Sequence, residues 1–110
     1  ITSEQQALAV AALWDVWEGG EPPLLSCTLV TTAAAPAFEP WHARMPVLLA
    51  PDECERWLDN ARVIEADDPL FRSELKMPLH LQPVSRAVSN SRNKHLDVLQ
   101  AEGDVIELRA

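Results

Sequence analysis

The residue types in this 110-residue chain best suited to chemistry stand in Pro40-Trp41-His42-Ala43-Arg44-Met45-Pro46. Histidine is the side chain whose charge changes near neutral pH, so His42 is suited to moving a proton; Arg44 is a permanent cation with a planar fork of donors that fits a phosphate or carboxylate. Placed two residues apart, they read as a proton donor beside an anion clamp. The flanking prolines fix φ and discourage regular structure, so an ordered loop entering a strand is expected, and loops of that kind often carry chemistry. On residue types alone, a hydrogen-bonded structural histidine and a surface arginine account for the same stretch. The two cysteines, Cys27 and Cys54, show neither Cys-x-x-Cys spacing nor a histidine pair at ligand intervals, so no metal and no cofactor is expected. Cys27 lies in a β-branched run and reads as a small buried residue, whereas Cys54 reads as part of a helix interface. Reduced thiols are the default, with one disulfide as the alternative.

Around this stretch the chain divides into short elements. Ala7 to Trp17 satisfies both helix propensity and strand alternation, through Leu8, Val10, Ala12, Trp14 and Val16. Gly19-Gly20-Glu21-Pro22-Pro23 is a turn, and Leu24 to Thr32, rich in β-branched residues and free of breakers, predicts one strand. Ala33 to Glu39 cannot hold a long helix across Pro36 and predicts a single turn or loop, after which Met45 to Leu49 re-enters a sheet. Pro51 followed by Asp52 and Glu53 opens a helix to about Asp59 whose core face is Cys54, Trp57 and Leu58. Asp67-Asp68-Pro69 predicts a second short helix carrying Leu70, Phe71 and Leu75 and stopped by Pro78. Leu79 to Pro83 leads to Val84–Val88, a short strand or sheet edge, then to a turn at Ser89-Asn90-Ser91. Leu96 to Leu99 predicts a brief helix, and Val105-Ile106 pairs weakly or frays.

The size allows one domain and one core, and an apolar fraction of 47% argues against disorder. No apolar run approaches the ~20 residues of a membrane helix, and the N-terminal Ile1-Thr2-Ser3-Glu4-Gln5-Gln6 does not resemble a signal peptide. The start without methionine suggests a cut or incomplete chain. A net charge of −8 opposes nonspecific attraction to nucleic acid. The acidic residues gather in Asp52-Glu53, Glu55, Asp59 and 65–68, however, leaving Arg44, Arg86, Arg92 and Lys94 as a local basic set on an acidic body.

Pro40 to Val47, with the pattern Pro-x-His-x-Arg-Met-Pro-Val, resembles the central motif of the SRAP family, the SOS response-associated peptidases that sense abasic sites in single-stranded DNA. Three further stretches match in order: Ala12-Leu13-Trp14-Asp15, then Ser26-Cys27-Thr28-Leu29-Val30-Thr31-Thr32, then Pro83-Val84-Ser85-Arg86-Ala87-Val88 running on to Arg92-Asn93. They cover most of the chain between Ala7 and Lys94 but correspond to the C-terminal half of the family's domain. The resemblance settles Ala7–Trp17 as strand. It implies an α+β fold, with a β-rich barrel-like core and short peripheral helices, incomplete in this chain. Residues 1–110 would then be the C-terminal part of a single SRAP-like domain.

In that family the cysteine exposed after loss of the initiator methionine attacks the aldehyde of a ring-opened abasic sugar, and its amine and thiol close a thiazolidine. A histidine in the His-x-Arg-Met-Pro motif handles proton transfer, with an asparagine and a glutamate from the first half. His42 is the matching position and becomes the catalytic candidate. Arg44 would bind a phosphate beside the lesion, Ser85 and Arg86 would add DNA-backbone contacts, and Thr32 would hydrogen-bond near the lesion. Trp41 either stacks on a base or packs in the core, and a salt bridge to the acidic helix is an equal alternative for Arg86. The resemblance further implies a bacterial cytoplasmic protein, nucleoid-associated when bound to DNA, monomeric when complete, and acting without membrane or metal. The N-terminal cysteine, asparagine and glutamate are not in this chain, and internal Cys27 and Cys54 cannot replace a terminal amine–thiol pair, so the 110 residues are expected to be inactive alone. The alternatives are an inactive DNA-binding remnant, a thiol autopeptidase and a structural or interaction fragment.

Overall fold

The computed structural model describes residues 1–4 and 7–110. Its strands form three two-stranded antiparallel ladders with short helices around them, an α+β arrangement in which the described strands close no barrel. Strand β1 (Ala12–Trp17) pairs with β2 (Leu24–Leu29), β3 (Thr31–Ala33) with β4 (Arg44–Pro46), and β5 (Leu79–Leu81) with β6 (Ile106–Leu108).

The expected strand from Leu24 to Thr32 is interrupted at Val30, where the chain changes partners. The Val30 N–H donates to the Ala11 carbonyl, and the Val30 carbonyl accepts from Val47 N–H, each at 2.9 Å. On the other strand, Ala11 N–H donates to Val47 O and Leu49 N–H to Ala9 O, around a bridge between Val10 and Leu48. This crossing ties the first two ladders together. It also shortens the expected Ala7–Trp17 strand, whose N-terminal part contributes isolated pairing around Val10 before β1 begins.

The apolar run Val47-Leu48-Leu49 passes through the middle and is buried on both sides, as strand alternation requires. Leu48 joins Phe38, Met45, Leu75, Leu79, Leu81 and Leu108 in one cluster, while Val47 and Leu49 join Ala11 and Leu70 in another. Leu108 is buried because Ile106–Leu108 pairs in register with β5, so this tail does not fray.

Helix α1 (Pro51–Leu58) starts at Pro51, and the Glu53 carboxylate accepts the Ala50 N–H at 2.9 Å. Cys54 and Trp57 pack on the second cluster as expected. Leu58 does not: it is 75% exposed, at the point where the helix ends, and lines an open cleft with Leu13 and Trp14. The expected second helix shrinks to a 3₁₀ turn, Pro69–Phe71, capped by Asp68, whose side chain accepts the Leu70 N–H. The backbone is already extended at Arg72 (ψ 146°), which ends the turn, and Lys76 then blocks any helix running on to Pro78. The Lys76 backbone is left-handed (φ 60°), which a right-handed helix forbids, and such a conformation costs a lysine roughly 1–2 kcal/mol. The Lys76 Nζ donates to Leu48 O at 2.7 Å, Leu70 O at 2.8 Å and the Glu53 carboxylate at 3.0 Å, and these nearly buried contacts hold the chain there.

Val84–Val88 is also not a strand. Val84 makes one bridge to Ala101, and Arg86–Ser89 forms a 3₁₀ turn because the Ser85 hydroxyl caps the Ala87 N–H. The expected brief helix at Leu96–Leu99 is a 3₁₀ turn. Cys27 is exposed rather than buried, since the β1–β2 hairpin projects from both clusters; both thiols are free. No helix among the described residues is long and apolar enough to cross a membrane.

Candidate functional site

The loop between β3 and β4 is built from below. Ala35 and Phe38 are buried in the same cluster as Met45, and the Met45 sulfur accepts the Ala35 N–H at 3.2 Å. Consecutive turns follow, in which Phe38 and Glu39 N–H donate to Ala35 O, and Trp41 N–H to Phe38 O. Ala34 N–H to Ala43 O closes the loop at its base, and the β3–β4 register sets Ala33 opposite Arg44 and Thr32 opposite Met45. With its apolar residues anchored, the loop presents Trp41, His42 and Arg44 on the outside.

His42 and Arg44 form one unit. The Arg44 N–H donates to His42 Nδ1 at 2.9 Å, and the Arg44 carbonyl lies 2.9 Å from the same nitrogen. In the neutral ring, Nδ1 accepts the Arg44 N–H when Nε2 carries the proton and donates to the Arg44 carbonyl when it carries the proton itself. In the charged ring, the Nδ1 proton has the Arg44 carbonyl as its acceptor, so both protonation states have a partner at Nδ1. Among the described residues Nε2 makes no hydrogen bond, and His42 is exposed. The Arg44 guanidinium is itself fastened: Nη2 donates to the Thr31 carbonyl at 2.9 Å and to the Thr31 hydroxyl at 3.0 Å. No acidic side chain pairs with it among the described residues, so its remaining charge is available to an anion.

The other expected site residues are placed differently. Thr32 is half-buried, and its hydroxyl donates to Phe71 O at 2.9 Å, tying β3 to the Asp68 turn. Trp41 is 49% exposed, so it is not a core residue; the core tryptophan is Trp57, with Nε1–H on Ala12 O and its ring edge-on to Phe71. Ser85 caps its own 3₁₀ turn, and neither Ser85 nor Arg86 is joined to the His42–Arg44 unit by a described hydrogen bond. Arg86 forms no ion pair with the acidic helix among the described residues; Lys76 pairs with Glu53 of that helix, and the helix's own Arg56 pairs with Asp68.

Two features escaped the sequence pattern. Thr31 sits beside Arg44 only because of the β3–β4 register, which places it diagonally across from the arginine. Glu4, His80 and Glu107 bring ligand-capable atoms within 4.8 Å of one another, although they are far apart in sequence. Strand pairing causes this too: His80 is opposite Glu107 in the β5–β6 ladder and pairs with Thr2 on its other edge. The three form an exposed ion-pair cluster, with Glu4 beside His80 at 3.5 Å and Glu107 beside Arg109 at 3.6 Å.

An α+β scaffold thus carries an exposed histidine–arginine unit on a strand-connecting loop. Residues 1–91 match the sequence model of the family described as SOS response associated peptidase (SRAP), and the chain belongs to this family. It is 30% identical over 100 residues to abasic site processing protein YoaM of Bacillus subtilis (strain 168), covering 86% of this chain and 42% of that protein. It is 28% identical over 99 residues to abasic site processing protein YoqW of the same strain, covering 84% and 42%, and equally to YoqW of Bacillus phage SPbeta. The chain thus spans about two fifths of the length of these relatives. No solved structure matches it.

Proposed function

We propose that these residues are the C-terminal part of an SRAP domain which, in the whole protein, processes abasic sites in single-stranded DNA by forming a covalent crosslink. The observation that carries this is the His42–Arg44 unit: an exposed imidazole held through Nδ1, beside an arginine with no acidic partner among the described residues. The crosslink needs an aldehyde, an amine and a thiol. The amine of an N-terminal cysteine adds to the sugar aldehyde, the carbinolamine loses water, and the thiol adds to the resulting imine to close a thiazolidine. The reading requires that cysteine from outside these 110 residues, whose two cysteines, Cys27 and Cys54, are internal. His42 supplies and removes the protons of sugar opening and water loss, and Arg44 holds a phosphate next to the lesion. Thr32, Trp41, Ser85 and Arg86 are secondary contacts to the strand.

The overall charge of −8 makes binding depend on such local contacts rather than on a basic body. In the full-length protein His42→Gln is expected to slow crosslinking about 10²–10⁴-fold, the usual contribution of a general acid–base group, with a much smaller loss of noncovalent affinity. Crosslinking at the parental rate by a variant with an unchanged melting temperature removes His42 from the mechanism. A loss of binding equal to the loss of rate assigns it a structural role.

A further inference from the structure

We propose that Thr31 is a positioning residue for the anion site: its hydroxyl and carbonyl together aim the Arg44 guanidinium at the ligand. The inference rests on the reading of Arg44 as a phosphate contact. Nη2 of an arginine has two N–H bonds, and here both are used, one on the Thr31 carbonyl at 2.9 Å and one on the Thr31 hydroxyl at 3.0 Å. A guanidinium has five N–H donors, so the two on Nη1 and the one on Nε are left for an anion. Fixing one nitrogen of a planar group at two acceptors also fixes the plane and the direction of the remaining donors. An exposed arginine otherwise loses side-chain entropy when it orders on a ligand, so an arginine aligned in advance binds more tightly.

The geometry reaches the imidazole as well. Thr31 holds the side chain of Arg44, while the main chain of Arg44 holds His42 Nδ1. Thr31, Arg44 and His42 therefore make one polar chain running across the β3–β4 ladder, with acid–base group and anion clamp aligned from the same strand register. The assignment separates two adjacent threonines by role: Thr32 anchors β3 to Phe71, and Thr31 serves the site.

The test is a double-mutant cycle in the full-length protein. Binding is measured to a single-stranded oligonucleotide carrying a tetrahydrofuran abasic analogue, which has no aldehyde and reports noncovalent affinity alone. Thr31→Val keeps the shape and the carbonyl but removes the hydroxyl, and is expected to weaken binding about threefold to tenfold without changing its salt dependence, because no charge is lost. Arg44→Ala is expected to weaken binding and flatten the dependence of log K on log salt by about 0.7, one phosphate contact on a single strand. Adding Thr31→Val to Arg44→Ala should then change nothing further, and Thr31→Ser should bind like the parent. A Thr31→Val effect that persists without Arg44, or is absent with Arg44 present, overturns the positioning role while leaving the phosphate contact standing. A Thr31→Ser variant as weak as Thr31→Val shows that keeping the hydroxyl does not keep the affinity, and overturns it too. Unchanged affinity in Arg44→Ala overturns the phosphate contact itself and Thr31 with it.

Discussion

At His42 the direction of a proton is set by a neighbour's main chain rather than by a side chain. The donor to Nδ1 is a peptide N–H, which cannot ionise or rotate away and favours the Nε2–H tautomer, while the Arg44 carbonyl at the same 2.9 Å favours the Nδ1–H one. A general acid must offer its proton on the side where the ligand lies, and the role proposed for His42 requires that side to be Nε2. This gives a prediction independent of activity: nitrogen NMR of the neutral ring should show the proton on Nε2 and an Nδ1 resonance typical of a hydrogen-bond acceptor. A neutral ring with its proton on Nδ1 would mean that the Arg44 carbonyl, not the N–H, dominates the contact. The pairing of His42 with Arg44 on one exposed loop is legible in the sequence, since it follows from their spacing between prolines. Thr31 is not, because its partner lies 13 positions away and the contact depends on strand register.

Between elements, polar tethers decide what local propensity leaves open. Helix α1 is joined to the Asp68 turn by Arg56, and the Asp68 carboxylate also accepts the Leu70 N–H at 2.9 Å. The backbone N–H first, and Arg56 after it, hold this carboxyl below its ordinary value of 3.8, against a partial desolvation that acts the other way. A depressed carboxylate stabilises the fold fully above its unfolded value and loses that contribution as pH falls through the folded one. Acid should therefore loosen the α1–Asp68 junction below about pH 3.8, and Asp68→Asn should be less stable than the parent at neutral pH but lose less on acidification. Urea melts across that range test this; parallel acid profiles for the two proteins would show that another group controls the transition. The start of α1 and the Asp68 cap are legible in the sequence, because proline and acidic residues signal their positions locally. The extended backbone at Arg72 that ends the Asp68 turn is not, and neither is the left-handed Lys76 beyond it, which depends on the distant carbonyls and carboxylate that its side chain meets. Nor does the β-branched run reveal its break at Val30, because an extended chain that exchanges one partner for another keeps the same local preferences on both sides.

For the molecule as a whole, the hairpin of β1 and β2 is the least satisfied part. Alternation puts Ala12, Trp14, Val16, Leu25, Cys27 and Leu29 on one face, uniformly apolar, yet Trp14 remains 74% exposed and Leu25 66%. The opposite face carries Leu13, Trp17 and Leu24 among Asp15, Ser26 and Thr28, and Leu13 shares an open cleft with Leu58 of α1. Burying a large aliphatic or aromatic side chain is worth about 1.5–3 kcal/mol, so several such residues left in water are a sizeable unused driving force. The relatives are more than twice as long as the matched segment, and the hairpin lies inside the family match, so the remaining part of an SRAP domain is the occupant we expect on this face. Two measurements follow. The 110-residue chain alone should bind an apolar dye such as ANS, and Trp14→Lys with Leu25→Lys should abolish most of that signal while leaving the two buried clusters intact by hydrogen exchange. In the full-length protein Trp14 should emit as a buried indole, and the same double substitution should destabilise the whole domain by several kcal/mol, because each charge would then enter an apolar interface. If instead Trp14 is solvent-exposed in the full-length protein and the charged variants are as stable as the parent, the rest of the domain packs elsewhere and the hairpin faces water.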